Sequence, residues 1–64
     1  MSDTVIFEFR PFQSVLIKAI NTFGFVASRM NNETGENEYK LIYWMDGQRK
    51  SDWFFEFELE EKSD

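Results

Sequence analysis

Apolar and polar residues alternate along much of this chain. Over residues 5–9, Val5, Phe7 and Phe9 fall on one face and Ile6 and Glu8 on the other. A period of two in β-favouring side chains predicts a strand. Pro11 has no amide hydrogen to give a ladder and is expected to end or kink that strand. Residues 25–30 and 39–45 read as further strands. The second of these, Tyr-Lys-Leu-Ile-Tyr-Trp-Met, is the clearest in the chain. Between them, residues 31–37 hold almost no apolar side chain and read as an exposed hairpin loop, with Gly35 free to take positive φ. Asp46-Gly47 is the strongest short hairpin signal available. After the polar residues 48–52, a strand is expected to resume at Trp53-Phe54-Phe55. Phe55, Phe57 and Leu59 then alternate with Glu56, Glu58 and Glu60, as on a sheet with one buried and one wet face. A short 3₁₀ turn through residues 56–58 is the other reading of that stretch.

Residues 12–23 support two readings. As a helix, Phe12, Val15, Leu16, Ala19, Ile20 and Phe23 form an apolar stripe at helical spacing, with Pro11 suited to its first turn and Gly24 to its stop. As a strand, Val15, Ile17 and Ala19 share one face. The β-branched Val15, Ile17 and Ile20 favour this reading, as does the turn-like Asn21-Thr22-Phe23-Gly24. Periodicity leans to the helix and the surrounding strands lean to the strand.

The chain has 64 residues, which is one domain. A domain so short buries only about 60% of the surface its unfolded chain exposes, so its core has to be rich. Hydrophobic residues make up 42% of the chain and aromatic residues 19%, which excludes a disordered composition. Cys and His are both absent. Zinc and copper sites, the commonest general base and the usual partner of a Ser or Cys nucleophile go with them. The glycines stand apart at Gly24, Gly35 and Gly47, so no phosphate loop is present. The reading is a non-enzymatic protein with no cofactor and no metal. With neither disulfide candidates, nor a signal-peptide pattern, nor an apolar run of membrane-spanning length, the expected compartment is the cytoplasm.

The formal net charge of −5 is unevenly placed. Residues 1–50 carry six acids and six bases. Residues 51–64 carry Asp52, Glu56, Glu58, Glu60, Glu61 and Asp64 against Lys62 alone. Binding to phosphates needs clustered Lys and Arg, and Arg49-Lys50, in or near a turn, is the one basic cluster. Nucleic acid is therefore disfavoured as a partner. The acidic end reads either as a solvated sheet edge or as a surface that attracts a basic partner.

The order of signals resembles the small SH3-like β-barrels of the Tudor and KOW type. It is similar above all to short barrel proteins of bacteria and their phages. The residues that carry the likeness are Val15-Leu16-Ile17-Lys18, the turn at Phe23-Gly24, the strand from Phe25 to Arg29, Tyr39 to Trp44 with Asp46-Gly47, and Trp53 with Glu58-Leu59-Glu60. They span residues 12–60. Where such modules often have a Gly before the first Val, this chain has Gln13. The resemblance implies an all-β fold, a small barrel made of a five-stranded, strongly bent sheet; the strand expected at residues 5–9 is an addition that departs from such modules, and residues 61–64 are expected to be a disordered tail. A β-α-β-β-β arrangement in the α+β class is the alternative.

Function is expected at an aromatic patch beside the acidic end. If Leu41 and Tyr43 face the core, Lys40, Ile42 and Trp44 share the other face. Exposed aromatic clusters tend to be binding surfaces. The candidate partner-binding residues are Tyr43, Trp44, Trp53, Phe54, Glu56, Glu58 and Glu60, facing a protein with a basic or apolar surface. The resemblance also implies two other modes. One is an aromatic cage for a methylated cation, built from Tyr39, Tyr43, Trp44 and Trp53 with Asp46 or Asp52. The other is a nucleic-acid surface using Lys18, Arg29, Lys40, Arg49 and Lys50. Self-association through the N-terminal strand is the remaining expectation.

Overall fold

The computed structural model describes residues 5–62. Five strands form one antiparallel sheet: β1 (Ser14–Ile17), β2 (Thr22–Asn31), β3 (Asn37–Met45), β4 (Gln48–Phe55) and β5 (Leu59–Glu61). Their spatial order is β4-β3-β2-β1-β5. The fold is all-β, the first of the two expected classes. The sheet is not closed into a barrel, because β4 and β5 remain its two edges. The helix alternative over residues 12–23 is not formed. Its middle is β1, held by β2 on one side and β5 on the other. In that arrangement Val15 and Ile17 are fully buried while Phe12, Ile20 and Phe23 stay exposed. Burial of the two β-branched residues between partner strands outweighs the helical spacing.

The connections follow turn chemistry. Asp46 and Gly47 both take positive φ, 53° and 75°, as a two-residue I′ hairpin requires. Met45 therefore pairs directly with Gln48, and β4 starts there. Residues 48–52, expected as a polar stretch before the strand at Trp53, already belong to β4, and Arg49 and Lys50, expected in or near a turn, project to opposite faces of it. The loop after β2 is organised by Asn32. Its Oδ1 accepts from the Thr34 amide (3.0 Å), the Thr34 hydroxyl (2.7 Å) and the Glu36 amide (3.0 Å). Gly35 completes that loop at φ 85°.

One face of the sheet carries the core: Val15, Ile17, Val26, Tyr39, Leu41, Tyr43 and Leu59, closed over by Phe9. Each fully buried aliphatic side chain there contributes about 1.5–3 kcal/mol. A β-bulge between Val26 and Ser28 shifts the register of β2 against β3. It turns Arg29, rather than Ser28, to the core side opposite Tyr39.

The expected N-terminal strand is absent: residues 5–9 form no ladder. Their alternation survives as packing, with Phe7 half-buried and Phe9 buried. Both rings meet Tyr39 edge-on, at 6.0 and 5.3 Å between centroids. Side chains take over the bonds that a neighbouring strand would supply. The Glu8 amide donates to the Tyr39 hydroxyl (3.0 Å) and to Glu56 Oε2 (3.0 Å). Asn37 Nδ2 donates to the Ile6 carbonyl (2.8 Å). Arg29 stands 4.6 Å over the Phe7 ring and donates to the Phe9 carbonyl (3.3 Å).

At the other end, Phe57 does not join the buried face. Residues Glu56–Glu58 form a 3₁₀ turn that turns Phe57 outward, 68% exposed. Its ring stacks on Phe55 at 5.5 Å. Of the tail expected at 61–64, Glu61 belongs to β5, and residues 63 and 64 lie outside the described residues. No helix among the described residues is long and apolar enough to cross a membrane.

Candidate aromatic interaction face

Strand alternation sends a second set of side chains to the face opposite the core. From β1 this is Leu16. From β2 it is Phe23 and Phe25, from β3 Lys40, Ile42 and Trp44, and from β4 Arg49, Ser51 and Trp53. The registers align them: Phe25 is opposite Ile42, Trp53 is opposite Lys40, and Arg49 is opposite Trp44.

Three rings make a row across this outer face. Phe12 and Phe25 are 6.5 Å apart between centroids, and Phe25 and Trp44 are 6.4 Å apart, each pair tilted by about a third of a right angle (32° and 36°). Phe12 is 77% exposed and Trp44 54%. Phe12 also has φ 67°, a left-handed conformation that costs a bulky residue about 1–2 kcal/mol. Its main chain is fixed there. The Phe12 amide donates to the Val26 carbonyl (2.7 Å) and the Val26 amide to the Gln13 carbonyl (3.1 Å), extending the β1–β2 ladder past Ser14. The consequence is a large apolar ring held in water beside Phe25. Phe23 is exposed at the margin, with Lys62 Nζ 5.4 Å from its ring centroid.

The expected binding residues do not share one surface. Trp44 and Trp53 lie on the outer face with Glu60, which is opposite Leu16. Tyr43 is buried in the core, with Phe54 packed edge-on against it at 6.2 Å. Glu56 points inward: Oε2 accepts from the Tyr39 hydroxyl, the Glu8 amide and Asn37 Nδ2 (3.1 Å). Glu58 Oε1 accepts from the Phe55 amide (2.7 Å), closing the 3₁₀ turn. The four rings proposed for a cage are split by the sheet, Tyr39 and Tyr43 on the core face and Trp44 and Trp53 on the other, so they enclose no common space.

The basic residues are dispersed too. Lys40 and Arg49 are on the outer face and Lys50 is on the core side of the β4 edge. Lys18 is in the turn after β1, and the Arg29 guanidinium is engaged with Phe7 and Phe9.

Ionisable groups in the core face are perturbed by the same contacts. Burial, then the hydrogen bond to Glu56, pushes the Tyr39 hydroxyl up to about 12. Burial alone would raise Glu56, but the hydrogen bonds from Tyr39, Glu8 and Asn37 outweigh it and hold the carboxyl below the ordinary value. The bond to Asp52 (2.7 Å), then burial, raises Tyr43. These groups fasten the N-terminal segment and the β3–β4 pair.

Phe12, Phe23 and Phe25 were not among the residues expected at the surface. Phe25 was legible, since alternation sets it opposite in sense to Val26. Phe12 was not, because its outward position depends on a left-handed backbone. The chain matches no protein-family model, no curated protein and no solved structure.

Proposed function

We propose that this protein is a non-enzymatic interaction module that binds a protein partner on its outer aromatic face. The observation that carries the reading is the Phe12–Phe25–Trp44 row. A small domain keeps two of three large rings exposed, one of them at a cost in backbone strain. Strain held at an exposed ring is a feature of binding sites, and exposed aromatic clusters supply most of the energy at protein interfaces. The partner chemistry follows from the surroundings. The row receives apolar side chains, and Glu60, opposite Leu16 on the outer face of the β5 edge, favours a basic residue of the partner there. The proposal extends to an accessory or inhibitory role in a bacterial or phage setting, in the cytoplasm, which is what the sequence resemblance to Tudor and KOW modules implies.

The test is affinity capture from host lysate, with and without nuclease, followed by binding measurements on the protein recovered. A nuclease-resistant partner is expected. Trp44→Ala should weaken it at least about tenfold, as for an interface anchor, and Glu60→Lys should slow its association. Glu33→Ala in the far loop should leave it unchanged. Recovery of nuclease-sensitive material alone would overturn the reading in favour of nucleic acid, as would a partner indifferent to Trp44→Ala in favour of another surface.

A further inference from the structure

The two edges of the sheet are unlike. β5 is three residues long and carries Glu60 and Glu61, a short charged edge of the kind that resists pairing. β4 is eight residues long, and residues 48–53 are all exposed. Among the described residues, no main-chain bond outside the sheet reaches Arg49, Ser51 or Trp53.

The hairpin decides which main-chain groups of β4 are free. In a two-residue I′ hairpin the residues flanking the turn bond each other through their main chains, and bonded pairs then alternate along the ladder. Met45 and Gln48 flank the turn. Lys50, Asp52 and Phe54 therefore turn their N–H and C=O groups to β3, at Tyr43, Leu41 and Tyr39. Arg49, Ser51 and Trp53 turn theirs to the open edge.

We infer that β4 pairs antiparallel with β4 of a second copy of this chain about a two-fold axis at Ser51, giving a continuous ten-stranded sheet. Hydrogen bonding across the edge requires the outward residues of the two copies to face one another, which leaves few registers. Centred on Arg49, Lys50 or Asp52, each pairing sets two like charges face to face, which destabilises a cross-strand pair. Centred on Trp53, it sets Asp52 opposite Phe54. Centred on Ser51, it sets Lys50 opposite Asp52 of the second copy, and Arg49 opposite Trp53, each twice. Lys50 and Asp52 occupy the non-bonded pair positions, where side chains approach most closely. Arg49 and Trp53 share the outer face, where a guanidinium over an indole is favourable. Charges usually blunt a sheet edge; here they discriminate among registers and leave one that is complementary.

The contact is small. It gains about six main-chain hydrogen bonds and belongs to the weak, transient class of interfaces. It does not involve Phe12 or Phe25, so it stands or falls independently of the partner-binding reading.

The experiment is sedimentation velocity on the full chain over the micromolar to millimolar range. A reversible monomer–dimer equilibrium is expected. Ser51→Pro removes an outward N–H and no bond to β3, so it should abolish the dimer while circular dichroism and Tm stay those of the monomer. Lys50→Glu should weaken association about tenfold by making two like-charge pairs, and Lys50→Glu with Asp52→Asn, which removes the repulsion but keeps an oxygen to accept from the Tyr43 hydroxyl, should recover part of the loss. The two charge variants decide the matter even if Ser51→Pro fails to fold. A monomer at every concentration would overturn the inference, and so would a dimer indifferent to Ser51→Pro or unrestored by the added Asp52→Asn change.

Discussion

The Tyr39 hydroxyl donates its hydrogen to Glu56 Oε2, and both oxygens accept from the same Glu8 amide. Tyr39 is near the start of β3, between β2 and the edge strand β4, and Glu56 opens the 3₁₀ turn before β5. Between them they hold the N-terminal segment, which has no strand of its own to pair with. The Phe9 amide (3.4 Å) and Asn37 complete the arrangement. Phe9 is only 1% exposed, so the lid of the core depends on these polar contacts.

Tyr39→Phe should therefore destabilise the protein by ~1–3 kcal/mol, the cost of leaving buried partners unpaired. In a domain of this size Tm falls about 4–8 °C per kcal/mol. Thermal unfolding gives the magnitude, and amide exchange gives the place: Glu8 and Phe9 should lose protection while Leu41 keeps it. Uniform loss across the sheet would contradict a local role.

Stability should have one acid arm and one alkaline arm. Tyr39 is raised above its ordinary 10.0 to about 12, so its contribution is complete below pH 10 and is lost as pH rises from 10 towards 12. Tyr43 is raised as well and adds in the same direction. Glu56 is lowered from 4.5, so its contribution is present above pH 4.5 and is lost as pH falls below that value. Urea midpoints measured across pH should show a plateau between these limits. The alkaline arm should be shallower in Tyr39→Phe; an identical arm in both proteins would remove Tyr39 as its source.

At Gly24, β2 leaves no room for a side chain against β3. A Cβ there would lie 2.7 Å from the Ile42 carbonyl oxygen and 3.1 Å from Tyr43 Cβ. Both belong to a central strand that cannot yield easily. Gly24→Ala should cost about 1–3 kcal/mol. Gly35→Ala meets no atom within 4 Å and suffers only from its φ of 85°, about 1–2 kcal/mol. Chemical denaturation of the pair should separate them in kind: pairing between β2 and β3, followed by NMR, should be disturbed at Gly24 alone.

Phe12 should be dispensable for folding. Phe12→Gly relieves about 1–2 kcal/mol of left-handed strain and costs about 0.5–1 kcal/mol in backbone entropy, along with the contact to Phe25. The net change expected in an unfolding experiment is within about 1 kcal/mol of zero. A large destabilisation would mean that the ring serves the fold rather than a partner.

Much of the fold was legible because it rests on local rules. Residues 25–30 of β2, β3 and the Asp46-Gly47 hairpin follow from alternation and turn chemistry, which act over a few residues, whereas Thr22-Phe23-Gly24, expected as a turn, pair with β1 as strand and the turn falls at residues 18–21. The separation of Leu41 and Tyr43 from Lys40, Ile42 and Trp44 follows from the pleat alone. The rest is hidden by local likeness between different structures. Residues 5–9 alternate as a strand does, yet side chains of Tyr39, Asn37 and Glu56 take the place of a ladder. Polar residues 48–52 look like a loop, yet an edge strand is wet on both faces and needs no apolar pattern.

The sequence by itself determined that the chain folds as a β protein with an aromatic excess, because composition and period are properties of neighbouring residues. Only the tertiary structure decided where that excess went. The bulge after Val26 turned Arg29 to Phe7, the left-handed Phe12 completed a row with Phe25 and Trp44, and the inward turn of Glu56 removed it from the acidic surface. Each of these depends on contacts between residues far apart in the chain, whose register is set by how the strands meet rather than by what precedes or follows them.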